Sequence, residues 1–364
     1  MKLCYHAYIL INPYLDNDMA NQIFTIKPKF VTKKFLTVLP ERSRTIITKR
    51  FGLGDSPDRL TLEAIGDSYG ITRERVRQVE NHALETMRKS DVFAREEPTF
   101  NSLYNTLDTL GAIVSEEEFL TMLARDPGTQ NHIYLLLNLG DKFTREKEDD
   151  HFVHRWHINE GHAEVVHKAL KGLASDISEE DLIPDAEIVP MFMERLHTHG
   201  LDKRYDNNDT ARRWLNLSKA IGRNPLGEWG LASSPSIKVK GIRDYAYLAL
   251  RLHGSPMHFT EIAKAIGENF SKQAHVATCH NELIKDGRFV LVGRGLYALV
   301  EWGYMGGVVR DVIAEIIKRN GPMSRHEIVD KVLKERYVKE NTIVVNLEDD
   351  AYFKKNEQGK YMVK

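Results

Sequence analysis

Apolar residues return along this chain at two spacings, and each spacing predicts a different element. Val76, Val79, Ala83 and Met87 follow a 3-4-4 step, which puts them on one buried stripe of a helix. A shorter helix precedes it, with Leu62, Ala64 and Ile65 facing inward. Thr61 and Thr72 stand where N-caps belong, and Gly70 supplies the turn between the two helices. Two short capped helices joined in this way predict a helix-turn-helix.

Further along, a shared pattern recurs. An apolar helix ends near a glycine within 250–266 and again within 317–333, and Thr260 and Ser324 then stand at cap positions. Ser324 with Glu327 three residues later fits a capping box. Each copy closes on alternating apolar and polar residues around a turn, Gly293-Arg294-Gly295 in one and 356–359 in the other. Three helices and a hairpin are the plan of a winged helix. A weaker copy runs from Leu107 to a hairpin expected to pair 132–137 with 151–156, and a degraded one fills 165–232. Joints are expected at 95–98, 199–210, 232–235 and 303–307, where polar residues, Pro and Gly gather.

The expected fold is mainly α with small β wings. Its parts are an unassigned extension at 1–35, the helix-turn-helix at 36–92, winged helices at 100–160 and 241–303, the degraded segment at 165–232, and a C-terminal winged helix at 307–364.

Charge changes the picture. The chain has 51 Lys and Arg against 52 Asp and Glu, yet the balance is segregated: +3 over 31–92, −13 over 96–200 and +7 over 201–364. Attraction to phosphate is local, so the basic ends are expected to meet different partners from the acidic middle. Cys4 and Cys279 are too far apart in sequence for a zinc knuckle and too few for a disulfide framework, which fits a reducing, cytoplasmic setting. The longest apolar runs, such as 133–137, fall far short of the roughly 20 residues that cross a bilayer, and no small-residue cleavage site follows the short apolar patch at the start.

The polar side of the second helix carries Arg73, Glu74, Arg77 and Gln78. An Arg fork matches O6 and N7 of guanine, Glu accepts from N4 of cytosine, and Gln pairs with adenine. The same residues would also suit a solvated face with Glu–Arg pairs, and the motif around them decides for the groove. That motif is Thr72 to Glu80 read as Thr-Arg-Glu-Arg-Val-Arg-Gln-Val-Glu, with Leu-Glu-Ala-Ile-Gly at 62–66 and Arg-Phe-Gly-Leu at 50–53. On these residues 36–92 resembles region four of the sigma-70 family of bacterial transcription initiation factors, which reads the promoter −35 element.

The resemblance implies base reading by Arg73, Glu74, Arg77 and Gln78. It implies phosphate contacts at Arg42 and Arg50 and, through backbone N–H groups, at Leu62 and Glu63. It also implies that the apolar side of the first helices, with Ile46, Ile47 and Phe51, meets the flap of the RNA polymerase β subunit; simple core of the small domain is the competing reading. Only about 35 residues precede the motif, too few for the family's melting domains, so the chain is expected not to open a promoter alone. A second resemblance, over 241–303, is to the HARE helix-turn-helix family, which includes the N-terminal domain of the polymerase delta subunit. On its wing, Arg288 and Arg294 could touch phosphate or belong to a solvated turn.

Other constellations point away from catalysis. His151, His154, His157, His162 and His167 share no single helical face and have no cysteine nearby, so no metal site is expected. Pro184-Asp185-Ala186-Glu187 opens like a nuclease motif but lacks the lysine that should follow. Gly293-Arg294-Gly295 is no phosphate loop. Glu116-Glu117-Glu118 reads as a helix N-terminus. The expectation is therefore a non-enzymatic transcription factor without cofactor, metal or small-molecule substrate, partnered by promoter duplex and polymerase. The alternatives are a polymerase-binding modulator that reads no DNA, or an accessory component of a nuclease system.

Overall fold

The computed structural model describes residues 27–364. The expectations for the opening segment, including Cys4 and the absence of a secretory signal, lie outside the described residues. The described residues are mainly helical with small antiparallel sheets and form two compact units, 27–223 with 227–233 and 224–226 with 234–364.

The first unit opens with α1 (Pro28–Thr37), α2 (Glu41–Phe51), α3 (Leu62–Tyr69) and α4 (Arg73–Arg88). The expected caps form: Thr61 Oγ1 accepts from the Ala64 N–H at 3.1 Å and Thr72 Oγ1 from the Arg75 N–H at 3.2 Å. Gly70 ends α3 in the left-handed conformation, at φ 65°, which a Cβ would resist. On α4, Val76, Ala83 and Met87 are buried and Val79 is half-buried. Ala64, expected to face inward, is exposed, because the inner side of this two-turn helix is taken by Ile65 and the half-buried Leu62.

From Glu97 onward one order occurs four times among the described residues: helix, extended residues, helix, helix, hairpin. The first copy is α5 (Asp91–Arg95) leading into α6 (Glu97–Thr109), then β1 (Ile113–Ser115), α7 (Glu116–Leu123), α8 (Pro127–Leu139), β2 (Thr144–Glu146) and β3 (Arg155–His157). The second is α9 (Glu160–Asp176), the single residue Ile183, α10 (Asp185–Thr198), α11 (Asn208–Leu215), β4 (Ile221–Arg223) and β5 (Trp229–Leu231). The third is α12 (Ile242–His253), β6 (Met257–His258), α13 (Phe259–Phe270), α14 (Val276–Lys285), β7 (Phe289–Gly293) and β8 (Leu296–Leu299). The fourth is α15 (Val309–Asn320), Met323, α16 (Arg325–Glu335), α17 (Glu340–Leu347), β9 (Phe353–Lys355) and β10 (Tyr361–Val363).

Register confirms that these are copies of one plan. In each, the early extended residue pairs antiparallel with the last strand: Ile113 with His157, Ile183 with Trp229, Met257 with Tyr297, and Met323 with Tyr361. The segment 165–232, expected as degraded, thus carries the full order, with its first strand reduced to one residue. The capping box at Ser324 and Glu327 forms as expected.

Two expectations fail for identifiable reasons. Residues 132–137 lie in α8 and not in a strand. A short apolar run has no period of its own, and here Asp126, whose carboxylate accepts from the Thr129 N–H at 2.9 Å, and Pro127 at the first turn start a helix. The expected joint at 95–98 is packed: Glu96 is buried, bound to Lys34 at 2.6 Å and to Thr99 at 3.0 Å.

That packing extends across the whole junction between the helix-turn-helix and the first repeat. One apolar core takes in Val31, Phe35, Ile47, Phe51, Ala83 and Met87 from α1, α2 and α4 together with Leu103, Leu107, Leu135 and Leu136 from the repeat. Asn131 of α8 is buried and fully used: its amide donates to the carbonyls of Gly52 at 3.0 Å and Pro57 at 2.7 Å, and its oxygen accepts from Arg59 at 2.5 Å. Gly52, at φ 61°, has no room for a Cβ, which would lie 2.6 Å from the Asn131 amide nitrogen. Arg59 also lies 3.9 Å from the centre of the Tyr134 ring.

The first and second repeats meet at a buried guanidinium. Arg155 donates to Glu146, to Asp149 at 3.1 Å and to Nε2 of His167 at 2.8 Å, and the His167 ring stacks on Phe152 at 4.4 Å. Burial, with Arg155 adjacent, holds the His167 imidazole down at about 4. Burial also holds His132, His157 and His162 below their ordinary value.

Two outcomes follow from these junctions. Asn131→Ala strands two carbonyls and a guanidinium, so it should cost about 1–3 kcal/mol in urea unfolding, with hydrogen exchange rising together in α2, α4 and α8. Exchange confined to α8 would show that the two modules fold separately. In the unfolded chain histidine binds a proton near pH 6.5, and the native fold resists doing so until well below that. Between those values the unfolded chain binds more protons, so stability should be full above about 6.5 and fall as the pH drops toward 4. His167→Gln should flatten that loss, and an unchanged profile would contradict the assignment.

Candidate nucleic-acid interface

The outward edge of α4 is built by its own sequence. The stripe of Val76, Ala83 and Met87 turns inward and Thr72 fixes the start, which leaves Arg73, Glu74, Arg77 and Gln78 exposed on the first two turns. The structure therefore brings the four expected base-reading residues together. They are arranged among themselves: Arg77 donates a two-pronged contact to Glu74 at 2.7 and 2.8 Å, and Arg75 Nη1 donates to Gln78 Oε1 at 3.1 Å. The Arg77 contact holds the Glu74 carboxyl below its usual range, so it stands as an ionised acceptor. Pairs this exposed exchange readily for contacts to a ligand, since each is worth little in water. Arg75 belongs to the same edge and was not singled out by sequence; its place three residues before Gln78 was the available signal.

The four expected phosphate contacts divide. Arg42 is exposed on α2, and Leu62 and Glu63 occupy the first positions of α3, where backbone N–H groups have no acceptor within the helix. Arg50 is committed elsewhere: it donates to Glu80 of α4 at 3.1 Å and to the Leu60 carbonyl at 3.1 Å. Its role in the structure is to tie α2, the following loop and α4 together.

Ile46, Ile47 and Phe51, expected on a polymerase-facing surface, are buried. Ile46 closes the small core with Ile65 and Val76. Ile47 and Phe51 belong to the core shared with the first repeat, and the Phe51 and Tyr134 ring centres lie 5.8 Å apart. The apolar side of α2 is thus covered by α8 of the same chain. That cover is hidden in the sequence because the apolar run of α8 has no period of its own, whereas α1 is signalled by Pro28 and the i,i+4 pair Val31 and Phe35 within the segment expected as an unassigned extension.

Elsewhere, Arg288 is held by Asp286 and Asp244 at 2.6 and 2.9 Å and is a fold contact rather than a phosphate contact, while Arg294 is exposed at the hairpin turn. Asp185 anchors Arg212 at 2.7 Å and the Trp229 indole N–H at 3.0 Å. Glu116 and Glu118 pair with Arg145 and Arg213 at 2.5 and 2.9 Å. Among the described residues no group of three or more His, Cys, Asp or Glu side chains could hold a metal, and no helix is long and apolar enough to cross a membrane.

Comparison with known proteins falls on the same segment. Residues 35–89 match the family model described as Sigma-70, region 4. The chain is 45% identical over 71 residues to the RNA polymerase sigma factor RpoS of Coxiella burnetii, covering 20% of each chain. It is 47% identical over 53 residues to SigA of a Bacillus species, covering 15% of this chain and 14% of that one, and equally identical over 53 residues to RpoD of Helicobacter pylori strain 26695, covering 8% of the latter. The chain thus spans about a fifth or less of the length of these relatives. Within that span, the capped α3–Gly70–α4 unit with its buried stripe and open polar edge is the part of the chain that matches sigma-70 region 4.

Proposed function

We propose that this chain is a bacterial transcription factor that binds promoter −35-like duplex through the edge of α4, with Arg73, Glu74, Arg77 and Gln78 reading bases and with Arg42 and the α3 N-terminus on phosphates. The observation that carries this reading is the two-sidedness of α4, buried on its apolar stripe and open on its polar edge. The named relatives are sigma factors of RNA polymerase, which favours polymerase as a partner. The four repeats are read as winged-helix modules, the third of them of HARE type, and the last two extend contact to DNA or protein. The task is binding rather than catalysis.

The second reading, a polymerase-binding modulator that occupies the β flap without touching DNA, needs Ile47 and Phe51 free. Their burial under α8 favours the DNA reading.

Fluorescence anisotropy with −35-like and scrambled duplexes tests the proposal. Arg73→Ala should cost about 1–3 kcal/mol on the −35-like duplex and relax choice at one base. Arg42→Ala should weaken both duplexes alike and lower the salt slope by about one unit. Equal losses on both duplexes for both variants would contradict base reading.

A further inference from the structure

The four repeats differ in what they leave open. In a three-helix module with a hairpin, the third helix and the hairpin are the parts that can project toward a partner. In the first repeat the third helix, α8, is buried at residues 131–133, 135–137 and 139, between the repeat's own core and the helix-turn-helix. In the second, α11 turns onto the first repeat: Arg213 donates to Glu118 at 2.9 Å and to the Leu110 carbonyl at 3.2 Å, and the Trp214 indole donates to the Ile113 carbonyl at 3.2 Å. In the third and fourth repeats the outward positions of α14 and α17 are exposed, including Thr278 and Asn281 on one and Asn341 and Thr342 on the other.

The hairpins separate the last two. The third repeat's turn offers one cation, Arg294. The fourth repeat's hairpin carries Lys354, Lys355 and Lys360, all exposed, with Glu357 the lone carboxylate among residues 353–364. Among the described residues, the ion pairs of this repeat involve Arg310, Arg319 and His326 and none of these lysines. The turn between them is fixed, since Asn356 Oδ1 accepts from the N–H groups of Gln358 at 3.0 Å and Lys360 at 2.9 Å. By contrast the first repeat's loop, 147–154, holds Glu148, Asp149 and Asp150 against Lys147.

We propose that the fourth repeat, residues 309–363, is a second and sequence-independent duplex contact, in which Lys354, Lys355 and Lys360 of its hairpin lie on the phosphate backbone. Three exposed ammonium groups that enter no ion pair among the described residues, one of them, Lys355, resting 4.8 Å from the centre of the Tyr361 ring, give this short, pinned hairpin a positive charge suited to phosphates, and compact point charges read charge and not base identity. The first two repeats, whose third helices are used up inside their own unit, serve as structure.

The test is anisotropy of the full chain on −35-like and scrambled duplexes across a salt series, with the triple variant Lys354→Gln, Lys355→Gln, Lys360→Gln. Affinity should fall by the same factor on both duplexes, and the slope of log K against log salt should drop by about 2 to 3 units. Exchange protection at the Asn356 amide, which donates to the Lys360 carbonyl at 2.9 Å, shows that the hairpin persists. Arg73→Ala is selective for the −35-like duplex, so failure of base reading leaves the scrambled-duplex result intact and the two claims are separable. An unchanged slope on the scrambled duplex overturns the proposal, as does a variant that binds DNA normally but loses binding to polyglutamate, which would assign the hairpin to an acidic protein.

Discussion

The structure depends on α4 being buried along one side and wet along the other. Ala83 and Met87 enter a core that continues through Phe51 into α8, and Val76 closes a smaller core with Ile46 and Ile65. Because these contacts fix the helix in rotation, the polar residues of its first two turns face outward as a set. A one-residue slip of the stripe would turn Arg73 and Arg77 against apolar side chains, at the cost of stranding their charges.

The same core changes what the helix-turn-helix is. A region 4 domain on a flexible tether would expose the apolar side of α2 and reorient freely. Here Asn131 fastens the loop after α2, Arg59 stacks on Tyr134, and Arg88 of α4 donates to the carbonyls of Leu139 and Asn138 at 3.0 and 2.6 Å. The polar edge of α4 is therefore carried on one packed unit that includes the first repeat. This converts a surface that could recruit a partner helix into a structural seam, and leaves the polar edge as the accessible feature of the domain.

Much of this was legible in the sequence where local chemistry decides the structure. Thr61, Gly70 and Thr72 punctuate the helix-turn-helix through short-range hydrogen bonds and backbone preference, and the 3-4-4 stripe follows from helix geometry alone. The capping box of Ser324 and Glu327 is equally local. What failed depends on distant partners. Nothing near Arg50 in sequence reveals Glu80 as its acceptor, and of the two partners of Arg288 only Asp286 is near it in sequence, while Asp244 is distant. The run 132–137 is apolar on every side because it is covered on every side, which erases the period that separates helix from strand. Ile183 forms a strand of one residue, too short to leave a pattern, although its pairing with Trp229 completes the second repeat.

The most direct test of the account is a photocrosslinking amino acid at position 78 in the full chain, irradiated with a −35-like duplex in the presence of RNA polymerase. The account predicts crosslinks to bases of the −35-like element, displaced by unlabelled specific duplex. Crosslinks to polymerase alone, with the duplex untouched, would contradict it.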